Sequence, residues 1–294
     1  MTTPRTAFFL LLSCLLNPLL QADTPGTTVT PASTTTAIST SVAATNGVYS
    51  LPFHSREEIE AFLKTAKIIK DKMLGEGITN PHKLTLDDGK IQTYAVFKSI
   101  NDRRFGITQL SGGSEVDFKD SWKFEVAAYE LDKLLGLNMV PVTVERSYKG
   151  SKGSLQIWVP NCMTEDDRLK KKLTPPDTLS WRQELAKMHI FDALIYNSDR
   201  NQGNLLITSD WKLFMIDHSR TFKNLDVLRG PQDLNYFSRS LMNSIKKLDK
   251  ATLMEHCGHY LMSTEIETML KRRDLLVQLY DKTMAELGPS ATYP

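Results

Sequence analysis

The stretch IFDALIYNSDRNQGNLLITSDWKLFMIDHSRTF, Ile190–Phe222, decides how this chain is read. Asp199 stands in a polar loop, Asn197–Gly203, between an apolar helical run and the apolar strand Asn204–Thr208. Asn204 follows five residues later, and Asp217 closes a second apolar strand, Leu213–Ile216. A carboxylate ending a buried strand is costly unless a cation meets it. Mg²⁺ or Mn²⁺ supplies that charge, with Asn204 as a neutral second oxygen ligand. Arg220 and His218 are the blander partners for Asp217, and a lone loop Asp such as Asp199 is commonly a turn-former. The set carries the expectation, not any one member.

Upstream, two residues complete the constellation. Lys98 ends the strand Tyr94–Lys98, where alternation puts Tyr94, Val96 and Lys98 on one face. A helix expected over Asp120–Leu135 carries Glu125, with Glu130 as the competing choice. A desolvated Lys needs such a carboxylate to stay charged and aimed. At ~4 Å the pair gains about 4 kcal/mol of Coulomb energy at an effective dielectric near ~20, largely offset by desolvation, so its value is orientation. Gly75 and Gly77 form a G-x-G before the first strand, whose amides cover phosphates or simply turn the chain. Together these residues fit ATP-dependent phosphoryl transfer, with Asp199 at the attacking hydroxyl. No Walker A, H-x-x-x-H or G-x-S-x-G pattern occurs, so zinc protease and serine hydrolase chemistry lack support.

Working outward, the 294 residues carry a net charge of +2, which gives no electrostatic footprint for nucleic acid. Basic clusters at Arg168–Lys172 and Lys271–Arg273 read as solvated surface. Residues 1–22 read as an export signal: Arg5, an apolar core, and Leu20-Gln21-Ala22 before the cut. The apolar run 7–20 reaches only about 21 Å as helix, short of a ~30 Å bilayer core, so no span remains after its removal. Cys14 within Leu11–Cys14 is a candidate lipidation site. Residues 23–47, rich in Thr and Ser, read as a disordered tether.

The folded part divides into a β-rich N-lobe with a leading helix, 48–160, and a helical C-lobe with the catalytic loop, 161–294. A capping box at Ser55–Glu58 opens a five-turn helix reaching Met73. A hairpin turns at Asp87–Gly89, two strands lie at Val140–Arg146 and Ser154–Val159, and Pro160–Pro176 reads as irregular. Helices follow at Leu179–Tyr196, Leu234–Lys246, Ala251–Tyr260 and Ser263–Leu287. The fold class is α+β, two-lobed, with a ligand cleft between the lobes. Cys162 and Cys257 read as free thiols.

At these residues the chain resembles the atypical kinases of the protein-kinase-like superfamily. NSDRNQGNLLI…FMIDHSRTF is similar to the D-R-H-x-x-N…D-F-G pair of phosphatidylinositol 3-/4-kinases. FDALIYNSDR with KFEVAAYELDKLLGLNMVPVTVER resembles the Golgi casein kinase family, and HipA-type kinases share the loop more distantly. The resemblance implies a protein-kinase-like fold, with Lys98 on ATP phosphates, Glu125 orienting it and Asp199 as catalytic base. Asn204 and Asp217 then bind Mg²⁺ or Mn²⁺. Asn201 replaces the His of the lipid kinases, and two cysteines do not reproduce the disulfides of secreted relatives. The acceptor is a hydroxyl of protein or lipid. A non-transferring pseudokinase module and an AMP transferase are the competing functions; the oligomeric state is not indicated.

Overall fold

Ser55 starts the first helix in the computed structural model, which describes residues 48–75, 81–110 and 113–294. Its hydroxyl accepts the Glu58 N–H, while the Glu58 carboxylate reaches back to the His54 N–H. Helix α1 is Arg56–Thr65 and stops three turns in. The expected continuation to Met73 is instead strand β1, Lys67–Met73, paired antiparallel with β2, His82–Asp87. The β-branched pair Ile68-Ile69 suits a strand, and sheet pairing overrides the helical spacing. Met73, expected in the apolar stripe, is 53% exposed. The export signal, Cys14, the tether and Gly77 lie outside the described residues.

Strand β3, Gln92–Lys98, closes the expected hairpin, and the Asp87 and Asp88 carboxylates accept turn amides of Gly89, Lys90 and Ile91. A second hairpin that the pattern did not announce follows: β4, Asn101–Leu110, and β5, Gly113–Ser121. Helix α2, Trp122–Leu135, begins at the Ser121 cap and ends on Gly136 at φ 65°, a left-handed position that glycine fills without strain. Strands β6, Thr143–Tyr148, and β7, Ser151–Ile157, complete an antiparallel sheet of order β1-β2-β3-β7-β6. One face buries Leu84, Leu86, Ala95, Phe97, Leu155 and Ile157 in a core shared with α1 and α2. The opposite face carries Tyr94, Val96 and Lys98, as alternation predicts.

Regular structure occurs inside the segment Pro160–Pro176 that reads as irregular. Strand β8, Cys162–Thr164, leads into α3, Glu165–Lys170, through a capping box between Thr164 and Asp167. Helix α4, Thr178–Ile195, is followed by β9, Leu205–Thr208, and β10, Leu213–Met215, which join β8 in a small sheet. Helices α5, Arg239–Lys246, α6, Lys250–Cys257, and α7, Ser263–Leu287, close the lobe. The helix expected from Leu234 starts only at Arg239, because Phe237–Ser238 pairs with Thr292–Tyr293 as a short parallel strand. Arg272, fully buried in α7, donates to the carbonyls of Leu194, Lys223 and Leu225 and so holds the segment beyond Asp217. Cys257 is a buried free thiol, and Cys162 Sγ donates to the Val159 carbonyl at 3.2 Å. Among the described residues no helix is long and apolar enough to cross a membrane.

Candidate active site

Lys98 is the hub. Its Nζ donates to Glu125 Oε1 at 2.6 Å and to Asp217 Oδ1 at 2.9 Å, so residues 27 and 119 positions away meet on one ammonium. Glu125 lies in the first turn of α2, where the helix dipole favours a carboxylate. Its second oxygen accepts the His218 N–H at 3.0 Å, which fastens the helix to the backbone just after Asp217. Glu130 pairs with Lys133 at 3.0 Å, away from Lys98. Neither Arg220 nor His218 takes Asp217; Lys98 does.

The charges respond to this packing. Burial opposes the Lys98 cation, but Asp217 and Glu125 outweigh it and raise its pKa well above the ordinary lysine range. Burial likewise opposes the Glu125 carboxylate, and Lys98 with the His218 hydrogen bond lowers it far below the usual carboxylate range. Asp217 adopts φ 60°, an uncommon left-handed conformation for a residue with a side chain and one found at functional sites.

Asp199 sits on the loop between α4 and β9. Its N–H donates to Asn197 Oδ1 at 3.0 Å, and its carbonyl accepts Asn204 Nδ2 at 3.0 Å. Burial raises the Asp199 pKa; Arg220 opposes that shift and Asp217 adds to it. With its amide nitrogen engaged, Asn204 offers Oδ1 as an acceptor. Asp217 and Asn204 are hard oxygen donors suited to Mg²⁺ or Mn²⁺, which takes few protein ligands when phosphate oxygens complete its shell. No cluster of three or more His, Cys, Asp or Glu is present among the described residues, so a bound ion relies on such added oxygens. Gly75, at φ 83°, lies in the β1–β2 connection. Because His82 pairs with Phe97, that connection is at the Lys98 end of the sheet, but no described contact joins Gly75 to Lys98.

Several residues at the site were not singled out from the pattern. Arg200 forks onto Asp192 at 2.8 and 3.0 Å and donates to the carbonyls of Asn204 and Ile216 at 2.9 and 2.8 Å, holding the two metal-candidate strands in step. Its Nη2 lies 3.1 Å from His218 Nε2, which must accept because guanidinium only donates. Asp192, a charge inside the apolar run of α4, was the legible signal for this network. Asp120, in β5, is buried with Oδ1 lacking a partner, and burial raises its pKa, with Asp217 adding to the effect. Ser121 N–H to Ser219 O at 2.9 Å holds β5 beside the Asp217 loop. Glu115, also in β5, pairs with Arg220 and Lys223. Nothing in the 100–121 composition marked these contacts in advance.

The described cavities lie elsewhere: one of about 310 Å³ includes Met139, Trp211 and Phe214, and one of about 140 Å³ includes Leu137 and Ser240. The Lys98–Asp217 cluster outranks both as a site, because its buried charges and paired acids have chemistry to offer.

A family model described as phosphatidylinositol 3- and 4-kinase matches residues 115–288. Among solved structures, a hydra Fam20 with sugar superposes with a TM-score of 0.60 at 15% identity, covering 85% of this chain and 93% of that one. A Golgi casein kinase gives 0.58 at 14% identity, over 85% and 83% of the two chains. A Golgi casein kinase with Mn/ADP bound gives 0.56 at 14%, over 80% and 77%. At these identities the likeness shows the fold alone. No curated protein sequence matches the chain.

Proposed function

The chain belongs to the phosphatidylinositol 3- and 4-kinase family, and we propose that it transfers the γ-phosphoryl group of ATP to a hydroxyl of a protein or lipid. The observation that carries this reading is the Lys98 ammonium shared by Glu125 and Asp217. Lys98 neutralises phosphate charge, Glu125 keeps it aimed, and Asp199 accepts or orients the acceptor proton. Asp217 and Asn204 hold Mg²⁺ or Mn²⁺, which when bound offsets charge on the phosphates. Catalysis of this kind is positioning and electrostatics. The amides around Gly75 and Gly77 are assigned to the phosphates. The leader over 1–22 supports export, with 48–160 and 161–294 as the two lobes.

The test uses the full chain with γ-labelled ATP and Mn²⁺, presented separately with phosphatidylinositol vesicles and with an unfolded Ser/Thr-rich protein. Label enters one acceptor, and Asp199→Ala abolishes incorporation while nucleotide binding persists. Unchanged incorporation in that variant overturns the assignment. A second reading, a nucleotide-binding module without transfer, is favoured by the direct Lys98–Asp217 bond, which phosphate and cation must part. Binding without transfer to any acceptor selects it, and a product heavier by AMP selects nucleotidyl transfer.

A further inference from the structure

Asp120 is a buried acid left unmatched beside Lys98 and Asp217. It is 8% exposed, and its Oδ1 has no hydrogen-bond partner. An ionised oxygen in that position is costly unless a cation meets it. Its direction follows from the strand. Side chains alternate along β5, so Phe118 and Asp120 share one face while Lys119 and Ser121 take the other. Lys119 turns to Glu265 of α7 at 2.7 Å. The Arg220 guanidinium lies 5.2 Å from the Phe118 ring centre, so the Asp120 face looks onto the segment Asp217–Arg220. The Ser121 N–H bond to Ser219 O at 2.9 Å keeps the strand there. The Ser219 hydroxyl, 3.3 Å from Asp217 Oδ1, acts on both carboxylates.

The cations that face Asp120 are all engaged elsewhere. Lys98 and Arg220 attract it, and Asp217 repels it. Lys98 is shared by Glu125 and Asp217, and Arg220 is held by Glu115, which also takes Lys223. Across the hairpin Asp102 stands opposite Asp120, and its carboxylate occupies Arg104. Asp199, which feels the same Asp217 and Arg220, adds a further acid. Acid is thus in excess around Asp217, and hard oxygen anions in excess suit a divalent cation. No three acids lie close enough to ligate one ion together, so the third acts from outside the first ring of oxygens. We propose that Asp120 completes the cation site begun by Asp217 and Asn204, its Oδ1 accepting hydrogen bonds from waters on the ion. The inference rests on the nucleotide-dependent reading above and adds one residue to its metal.

The experiment titrates the full chain with fluorescent N-methylanthraniloyl ATP, once with Mn²⁺ and once with EDTA, and reads the ratio of the two affinities. Asp120→Asn is expected to lower that ratio about tenfold, the effect that losing an outer carboxylate has on metal affinity. The affinity in EDTA holds or tightens, because one negative charge has left the site. A purely structural role would weaken both affinities alike and leave the ratio where it was. Asp120→Ala repeats the loss, and Glu130→Gln, which removes an acid of α2 away from Lys98, leaves the ratio unmoved. Thermal melts in EDTA show that each variant is folded. A ratio that both Asp120 variants leave unmoved overturns the inference while phosphotransfer stands. An affinity in the unaltered chain that Mn²⁺ does not improve overturns it together with the cation assignment of Asp217 and Asn204. No binding in either solution overturns the inference and the proposed function together.

Discussion

Asp199 is the residue whose environment reports most directly on chemistry. As the proposed base it must be ionised to accept a proton, and burial raises its pKa above the ordinary aspartate value. The acid limb of kcat/KM is therefore displaced upward from the ordinary aspartate value. Arg220 lowers the Asp199 pKa and Glu115 raises it. Removing the cation in Arg220→Met favours the protonated form, so the limb moves to higher pH. Removing the anion in Glu115→Gln favours the carboxylate, so the limb moves to lower pH. Opposite displacements in pH–rate profiles identify Asp199 as the titrating group, because loss of the Glu115–Arg220 contact alone would move both variants the same way. Glu125 behaves differently: its pKa is lowered, so its stabilising tie to Lys98 is fully present above the unfolded carboxylate value and is lost only as pH falls toward the depressed folded value.

At the scale of elements, the sheet positions Lys98 through a close approach at Gly153 in β7. A Cβ there would sit 2.3 Å from the Lys98 carbonyl oxygen and 2.7 Å from the Phe97 ring. Gly153→Ala must therefore part β3 from β7, and overpacking of this sort costs about 1–3 kcal/mol. The expected result is a lower urea midpoint together with a loss of nucleotide affinity, since the strand that aims Lys98 is the one displaced. Denaturation and nucleotide titration of the same variant check it. How far the sequence foretold such detail varies by element. Helices α2 and α4 were legible from apolar spacing, and the β2–β3 hairpin from its Asp-Asp-Gly turn. Strand β1 was misread as helix, since Met73 extends the helical stripe of Ile59, Phe62, Leu63 and Ala66 until β2 is there to pair with the segment. The β4–β5 hairpin left no apolar alternation to read: Ile107 and Val116 are exposed, and its value lies in ion pairs, Lys119 and Arg103 to Glu265 and Glu115 to Arg220. At the site, Lys98, Glu125 and Asp217 could be picked by residue type and order, whereas Asp120 and His218 act through distances that no local pattern encodes.

For the whole molecule, the two lobes are joined where the candidate site is. Lys98 to Asp217, Glu125 to the His218 N–H, and the Ser121 N–H to Ser219 all cross between the sheet-bearing half and the segment after β10. A ligand that inserts between Lys98 and Asp217 touches both halves, and the folded state gains RT ln(1 + [L]/Kd), about 2.7 kcal/mol at a hundredfold excess over Kd. Nucleotide with Mn²⁺ should therefore raise the melting temperature of the full chain by several degrees, and EDTA should remove most of the gain. Lys98→Met is expected to abolish the shift for a reason beyond lost phosphate contact. It leaves Glu125, 2% exposed, with only the His218 amide, and breaking a buried pair from one side costs about 3–5 kcal/mol. Its unliganded melting point should accordingly fall too. The double variant Lys98→Met with Glu125→Leu, which removes both buried charges, recovers part of the lost stability while remaining blind to nucleotide. If Lys98→Met retains the full ligand shift, the nucleotide binds elsewhere and the joint between the lobes is structural only.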